Sequence, residues 1–353
     1  SMSSINEIIL NHQQRGLTPL FPFLKADACE AAADAICRLN KGSIWIVTGF
    51  CCFGKGESDG PLGSHFLALA LQKMGFSPRL ITDSYSHDYF NDLHNTAGHH
   101  ETTNRHETTD RHDTTGQHDT TGSKQPSPVS IPYPTYCFQN LEALLQLFET
   151  EKPVALIAVE RCGRAKDGKY YSMRKKDISA VTPPLDELFL RKPSNCISIG
   201  IGDGGNEIGM GCYHDLLAAH CDIIPSCVRC DFPIMATVSN WGAYGLIAAL
   251  EQYRSRGLQK SPEALRAAQD TLKRPHDTLR TAQDTLKSPH GTLPDYTGTS
   301  KATQEKLLPT PDEVQAFFQH LLQSGAPDGI SGPGHPSVDG FPISYDLEVI
   351  GSF

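Results

Sequence analysis

Apolar residues come in short compact runs along this chain, each followed by a glycine-rich polar loop and then by helical spacing. Ser43–Gly49 (SIWIVTG), Pro78–Asp83 (PRLITD), Pro153–Glu160 (PVALIAVE) and Cys196–Gly202 (CISIGIG) read as buried strands, with Cys227–Ser239 as another. Helical periodicity marks residues 4–12, Ala26–Leu39, His65–Met74, Leu141–Phe148, 184–191, about 206–219, 243–253 and 311–323. A short apolar segment at 345–350 closes the chain. Strand, loop, helix and strand in this order form the βαβ pattern of an α/β fold. It predicts a mostly parallel, Rossmann-like sheet with helices on both faces.

Two segments break the pattern. Residues 101–124 are four copies of a hexapeptide (ETTNRH, ETTDRH, DTTGQH, DTTGSK), and residues 267–280 recur with small changes as 281–294. Neither has the apolar content to offset its ordering entropy. They are expected to be disordered insertions, at 95–128 and 258–306, within one α/β domain spanning 1–353. The histidines of the first (His106, His112, His118) offer adventitious metal binding as the alternative to a simple expanded repeat.

Composition then narrows the function. The insertions dilute the apolar share of the 353 residues to 39%. A net charge of -9 and a pI near 5.9 argue against nucleic acid or an acidic membrane surface as partner. No run of about 18 apolar residues is present to cross a membrane. The opening Ser1-Met2 reads as a tag remnant, which leaves any targeting segment outside this sequence. The 11 cysteines fall mostly in apolar runs, as Cys37, Cys137, Cys196 and Cys221 do, and imply a reducing compartment. Cys227-Val-Arg-Cys230 has CxxC spacing without a second such pair. Strand alternation explains it more simply than redox or metal chemistry, which stay open.

The polar residues that could carry chemistry gather just beyond the strands. CISIGIGDGGNEIGMG (196–211) places Asp203, Asn206 and Glu207 in a loop otherwise made of glycine and apolar residues. A strand-to-helix turn capped by Asp203 or Asn206 would account for part of this. Three functional groups in one turn favour a site. The loop after residue 49 carries Glu57 and Asp59, and the loop from Glu160 carries Arg161, Arg164, Asp167 and Arg174. Asn240 stands at a fourth strand end. In a parallel sheet these loops converge beyond the carboxyl ends of the strands.

That convergence suggests roles. Asp59, Asp203 and Glu207 suit general acid–base catalysis, and Asp203 with Glu207 also suits a hard cation such as Mg²⁺ or Mn²⁺. No other cofactor is indicated. Arg161, Arg164 and Arg174 suit a carboxylate, with Glu57, Glu160, Asn206 and Asn240 completing a substrate pocket. Asp339 reads as a cap or surface acid. GFCCFGKG (49–56) lacks the hydroxyl of a phosphate-binding loop, and Asp203 would repel a pyrophosphate, so neither ATP nor NAD fits.

ESDGPLG (57–63), ERCGRAKDGKYYSMRKKDIS (160–179), GIGDGGNEIGMG (200–211) and VSNWGAYGL (238–246), with DGISGPGHPSVDGFP (328–342) more loosely, resemble the glutamate cyclase-like C-terminal domain family. The resemblance covers the chain apart from the two insertions, which the family does not require. It implies a hydro-lyase that converts D-glutamate to 5-oxo-D-proline, a mitochondrial matrix location and an N-terminal cyclase domain as partner. A metal-dependent small-molecule hydrolase, or a non-catalytic half that binds ligand or docks its partner domain, are the alternatives.

Overall fold

The computed structural model describes residues 2–91, 129–272 and 305–353. Six parallel strands form its centre: β1 (Ser43–Thr48), β2 (Ser77–Thr82), β3 (Thr135–Cys137), β4 (Ala155–Val159), β5 (Ile197–Gly202) and β6 (Phe232–Met235). Their spatial order is β3-β2-β1-β4-β5-β6. The chain builds outward from β1 to β3, then returns to lay β4 against the other side of β1, pairing Val47 with both Ile81 and Ala158. Connections leaving β1 and β4 therefore run in opposite directions. That divergence opens a crevice at the carboxyl edge of the sheet.

Both faces of the sheet are covered, which is why the strands are almost continuously apolar. Ile44 and Ile46 face the larger core, made by α1 (Ser4–Ile9), α2 (Ala28–Cys37), α3 (Pro61–Lys73) and other helices. Trp45 and Val47 face the smaller one, where α4 (Leu141–Glu151) contributes Leu144 and Phe148, and α5 (Glu187–Arg191) contributes Leu188 and Phe189. After α6 (His214–His220) and β6, the long α7 (Ser239–Leu272) carries its N-terminal part, Trp241 to Leu250, through the larger core. A Cβ on its Gly245 would lie 2.8 Å from Ile9 and 3.1 Å from Cys29, so glycine there sets how closely α7 meets α1 and α2. The chain ends with α8 (Pro311–Gln323), opened by a Thr310/Glu313 capping box, and α9 (Ile343–Gly351), the short apolar segment.

Some boundaries differ from the sequence pattern, each for a local reason. The edge strand β3 is only three residues long, too short to register as an apolar run. The helix expected from about 206 starts at His214. Glycines at φ +106 (Gly205) and +97 (Gly209) keep the preceding loop non-helical. The helix expected over 243–253 begins at Ser239, and its backbone continues to Leu272 into the second expected insertion. The repeats of 101–124 and residues 273–304 lie outside the described residues. Among the described residues, no helix is long and apolar enough to cross a membrane.

Candidate active site

Beyond β1 the chain makes a two-residue hairpin, pairing Cys51–Cys52 with Lys55–Gly56. Phe53 is exposed at its tip, and the Gly56 N–H donates to the carbonyl of Tyr85 at 2.9 Å. The GFCCFGKG stretch is thus a tight turn, not a phosphate cradle. The hairpin then returns Glu57, Ser58 and Asp59 to the interior. Beyond β4, Glu160 turns at φ +48 and its carboxylate accepts the Ser239 hydroxyl. Beyond β5, Asp203 points into the same space.

Two further segments, distant in sequence, complete the group. The carboxylate of Asp328 accepts the N–H groups of Ile330 (2.7 Å), Ser331 (2.9 Å) and Gly340 (2.7 Å), folding 328–340 into a compact loop that holds Asp339 at φ +50. This loop comes so close that a Cβ on Gly329 would sit 1.7 Å from Glu57 Oε2. From the N-terminal side, Gln14 Nε2 donates to the Asp339 carbonyl at 3.0 Å, and Arg15 enters the cluster. Its Nε is 3.3 Å from Asp203 Oδ1 and its Nη2 is 3.0 Å from Asp339 Oδ2.

Glu57, Asp59, Glu160, Asp203 and Asp339 are each no more than 5% exposed, and Arg15 is the cation set among them. Burial raises the proton affinity of Glu57, Asp59, Glu160 and Asp203, and their mutual repulsion adds to it. For Asp59, burial and the charge of Asp339 push the pKa up to about 8. Burial opposes the Arg15 charge, but Asp203, Asp339 and Glu160 outweigh it and hold the guanidinium firmly charged.

Carboxylate oxygens of Asp59, Glu160 and Asp203 lie within 4.8 Å of one another, and among the described residues no other group of His, Cys, Asp and Glu is so arranged. Asp203 Oδ2 is buried without a hydrogen-bond partner. An all-oxygen donor set with an uncommitted oxygen fits a hard divalent cation such as Mg²⁺ or Mn²⁺. Asp203 belongs to this set, as its sequence context suggests. Glu207 does not.

The other expected site residues are placed differently. Glu207 accepts the N–H groups of Asp203 (3.0 Å), Gly204 (2.7 Å) and Gly205 (2.7 Å), so its carboxylate shapes the loop and is unavailable to substrate or metal. Asn240 Oδ1 accepts the N–H groups of Gly60 and Gly63, both at 2.8 Å, and its amide donates to the Ser58 carbonyl, so it caps α3. Asn206 ties the loop to Tyr171 at 2.9 Å, leaving only its Oδ1 uncommitted. Arg161 is buried against Asp83 and donates to the carbonyls of Gly49 and Pro183. Arg164 is held by Asp186 and Glu187, and Arg174 is exposed. None of these arginines faces the acid cluster. The guanidinium that does is Arg15, which sits in HQQRG, a polar stretch with no motif to announce it.

Residues 5–352 match a family model described as D-glutamate cyclase-like, C-terminal. A stretch of 100 residues is 47% identical to human mitochondrial D-glutamate cyclase, covering 27% of this chain and 16% of that protein.

Proposed function

Because the chain belongs to the D-glutamate cyclase-like, C-terminal family, we propose that it closes D-glutamate into 5-oxo-D-proline with loss of water, at the buried acid cluster. The observation that carries this reading is a set of carboxyl groups with raised proton affinity gathered around one arginine. The reaction needs such a relay. The substrate ammonium must surrender two protons as nitrogen bonds to the γ-carbon, and the departing γ-oxygen must gain two to leave as water. No net proton is consumed.

In this assignment Asp203, with its uncommitted Oδ2, takes a proton from the amine. Asp59, with a pKa near 8, is largely protonated at neutral pH and supplies a proton to the departing oxygen. Glu57 and Glu160, whose proton affinity burial raises, line the pocket as hydrogen-bonding carboxyl groups for the substrate. Arg15 holds a substrate carboxylate and stabilises the tetrahedral oxyanion. Holding glutamate curled supplies proximity, since the attack is intramolecular. A Mg²⁺ or Mn²⁺ ion held by Asp59, Glu160 and Asp203 would add polarisation of the γ-carboxyl. A mitochondrial setting, which the human relative's name supports, and a second, N-terminal domain, which the C-terminal description of the family supports, belong to the same proposal.

Incubating the chain with D-glutamate, with and without Mg²⁺ or Mn²⁺, and following 5-oxo-D-proline tests the assignment. Product that disappears in Asp203→Asn is the expected result. Binding of D-glutamate without product under every condition would instead identify a ligand-binding half of a larger enzyme.

A further inference from the structure

At the end of the Asp203–Gly211 loop lie three cysteines, two of which, Cys212 and Cys230, are in contact. Cys212 follows the loop directly. Cys227 and Cys230 lie on the segment that is hydrogen-bonded to it, through Ser226 N–H to the Gly205 carbonyl (3.0 Å) and the Gly209 (2.9 Å) and Gly211 (3.0 Å) N–H groups to the Val228 carbonyl. Cys212 Sγ is 3.2 Å from the Cys230 carbonyl oxygen and accepts the Cys230 N–H at 3.4 Å. Cys230 Sγ itself lies 4.0 Å from the Gly209 carbonyl oxygen, on the loop that ends at Cys212.

Cys212 and Cys227 line a surface concavity of about 300 Å³ shared with Lys166, His214, Asp215 and Arg229. Two of these residues bring permanent positive charge. The single acid, Asp215, is paired with His214 at 2.9 Å. Zinc does not explain the arrangement, because among the described residues only the acid triad gathers three ligand atoms. The thiols differ in character. The neighbouring Cys230 thiol, with help from the Cys230 backbone and Arg229 against burial, brings Cys212 down to about 6. Burial pushes Cys230 well up.

We propose that Cys212 is a thiol-exchange site for small anionic disulfides, recognised by Lys166 and Arg229, and that Cys230 is its resolving partner. In the first step the Cys212 thiolate attacks one sulfur of the disulfide. That S–S bond breaks, a mixed disulfide forms on Cys212, and one thiolate leaves. In the second, Cys230 loses its proton to solvent and attacks Cys212 Sγ, expelling the second thiolate. Two protein thiols are oxidised to the Cys212–Cys230 disulfide while one external disulfide is reduced to two thiols. The new bond would tie the end of the Asp203 loop to the segment it already leans on.

Glutathione disulfide is a suitable probe, applied to the whole chain and read by intact mass and peptide mapping. The wild-type chain is expected to lose the Cys212 and Cys230 thiols with no adduct retained. Cys230→Ser should keep one glutathionyl group on Cys212, and Cys212→Ser should form neither adduct nor bridge at this site. Uptake first at exposed Cys37, or an unmodified Cys212 in Cys230→Ser, would overturn the proposal. As a check independent of substitution, alkylation of Cys212 in the wild-type chain should be half-maximal near pH 6. A rate that rises only near pH 8.5, like that of an ordinary thiol (~8.5), would also overturn it. Both readouts are of mass, so the result stands apart from the proposed cyclisation.

Discussion

Asp59 and Asn240 hold each other's helices. The Asp59 carboxylate accepts the N–H groups of Ser239 (3.0 Å) and Asn240 (2.8 Å) at the start of α7, while Asn240 Oδ1 accepts those of Gly60 and Gly63 at the start of α3. An acid at a helix N-terminus is favoured by the helix dipole as well as by the hydrogen bonds. Asn240 therefore serves the fold, and Asp59 serves the fold while belonging to the candidate site. Asn240→Ala should lower the unfolding free energy by about 1–2 kcal/mol, the scale of a lost cap, as measured by urea denaturation. An unchanged midpoint would show that the buried N–H groups find other partners.

The arginines should separate cleanly by role. Arg15→Met is expected to lower kcat/KM for D-glutamate by about 100-fold, the scale of losing one oxyanion donor. Arg164→Met should change turnover by less than about threefold, as for a partly exposed ion pair. Arg161→Met should lose roughly 3–5 kcal/mol of stability, because it strands Asp83 in the interior. If Arg164→Met rather than Arg15→Met abolished turnover, the substrate would sit on the other side of the 160–179 loop.

Asp203 and Glu207, indistinguishable in the sequence, should behave oppositely. Asp203→Asn should cut kcat by about 10²–10⁴-fold, the usual scale for a general acid or base, with thermal stability kept or raised. Glu207→Gln should destabilise the chain by about 1.5–3 kcal/mol through weakened charge-assisted bonds to Asp203, Gly204 and Gly205. Thermal melts run beside initial rates would tell the two apart.

Stability should fall as pH rises. Asp59 carries a folded pKa near 8, and Glu57, Glu160 and Asp203 are raised as well, whereas in the unfolded chain such groups ionise near pH 4 (~4). Between those limits the folded chain binds more protons than the unfolded one, so each pH step upward favours unfolding. The contribution is complete below about pH 4 and gone once the folded groups ionise, near pH 8 for Asp59. Melting curves from pH 5 to 9 should show the decline, and Glu57→Gln should flatten it. Mn²⁺ bound by the acid triad would restore stability at the alkaline end; no restoration at millimolar Mn²⁺ would count against a cation there.

Much of the fold was legible because burial on both faces makes each strand a compact apolar run. SIWIVT and ALIAV need no partner information to be recognised. The carboxylates of the site were legible for a related reason. Glu160 and Asp203 directly follow β4 and β5, and Asp59 lies in the loop beyond β1, where parallel topology brings loops together. The division of labour was not legible. Whether an acid faces a backbone nest, as Glu207 does, or an open oxygen cluster, as Asp203 does, depends on glycine torsions such as that of Gly205, two residues from each. Arg161 and Arg164 sit beside a site loop in sequence, but their partners Asp83 and Asp186 turn them elsewhere. Arg15 had no local signal, because its partners are Asp203 and Asp339 and neither is near it in the chain.

The hydrogen bond from Gln14 to Asp339 spans 325 positions. Segments 325 positions apart must therefore meet before the acid cluster has its guanidinium and the Asp339 carboxylate. A nascent chain interrupted before the 328–340 loop would hold Glu57, Asp59, Glu160 and Asp203 with Arg15 only half engaged. Under the proposed cyclisation, the pocket would thus be complete only after this long-range contact has formed.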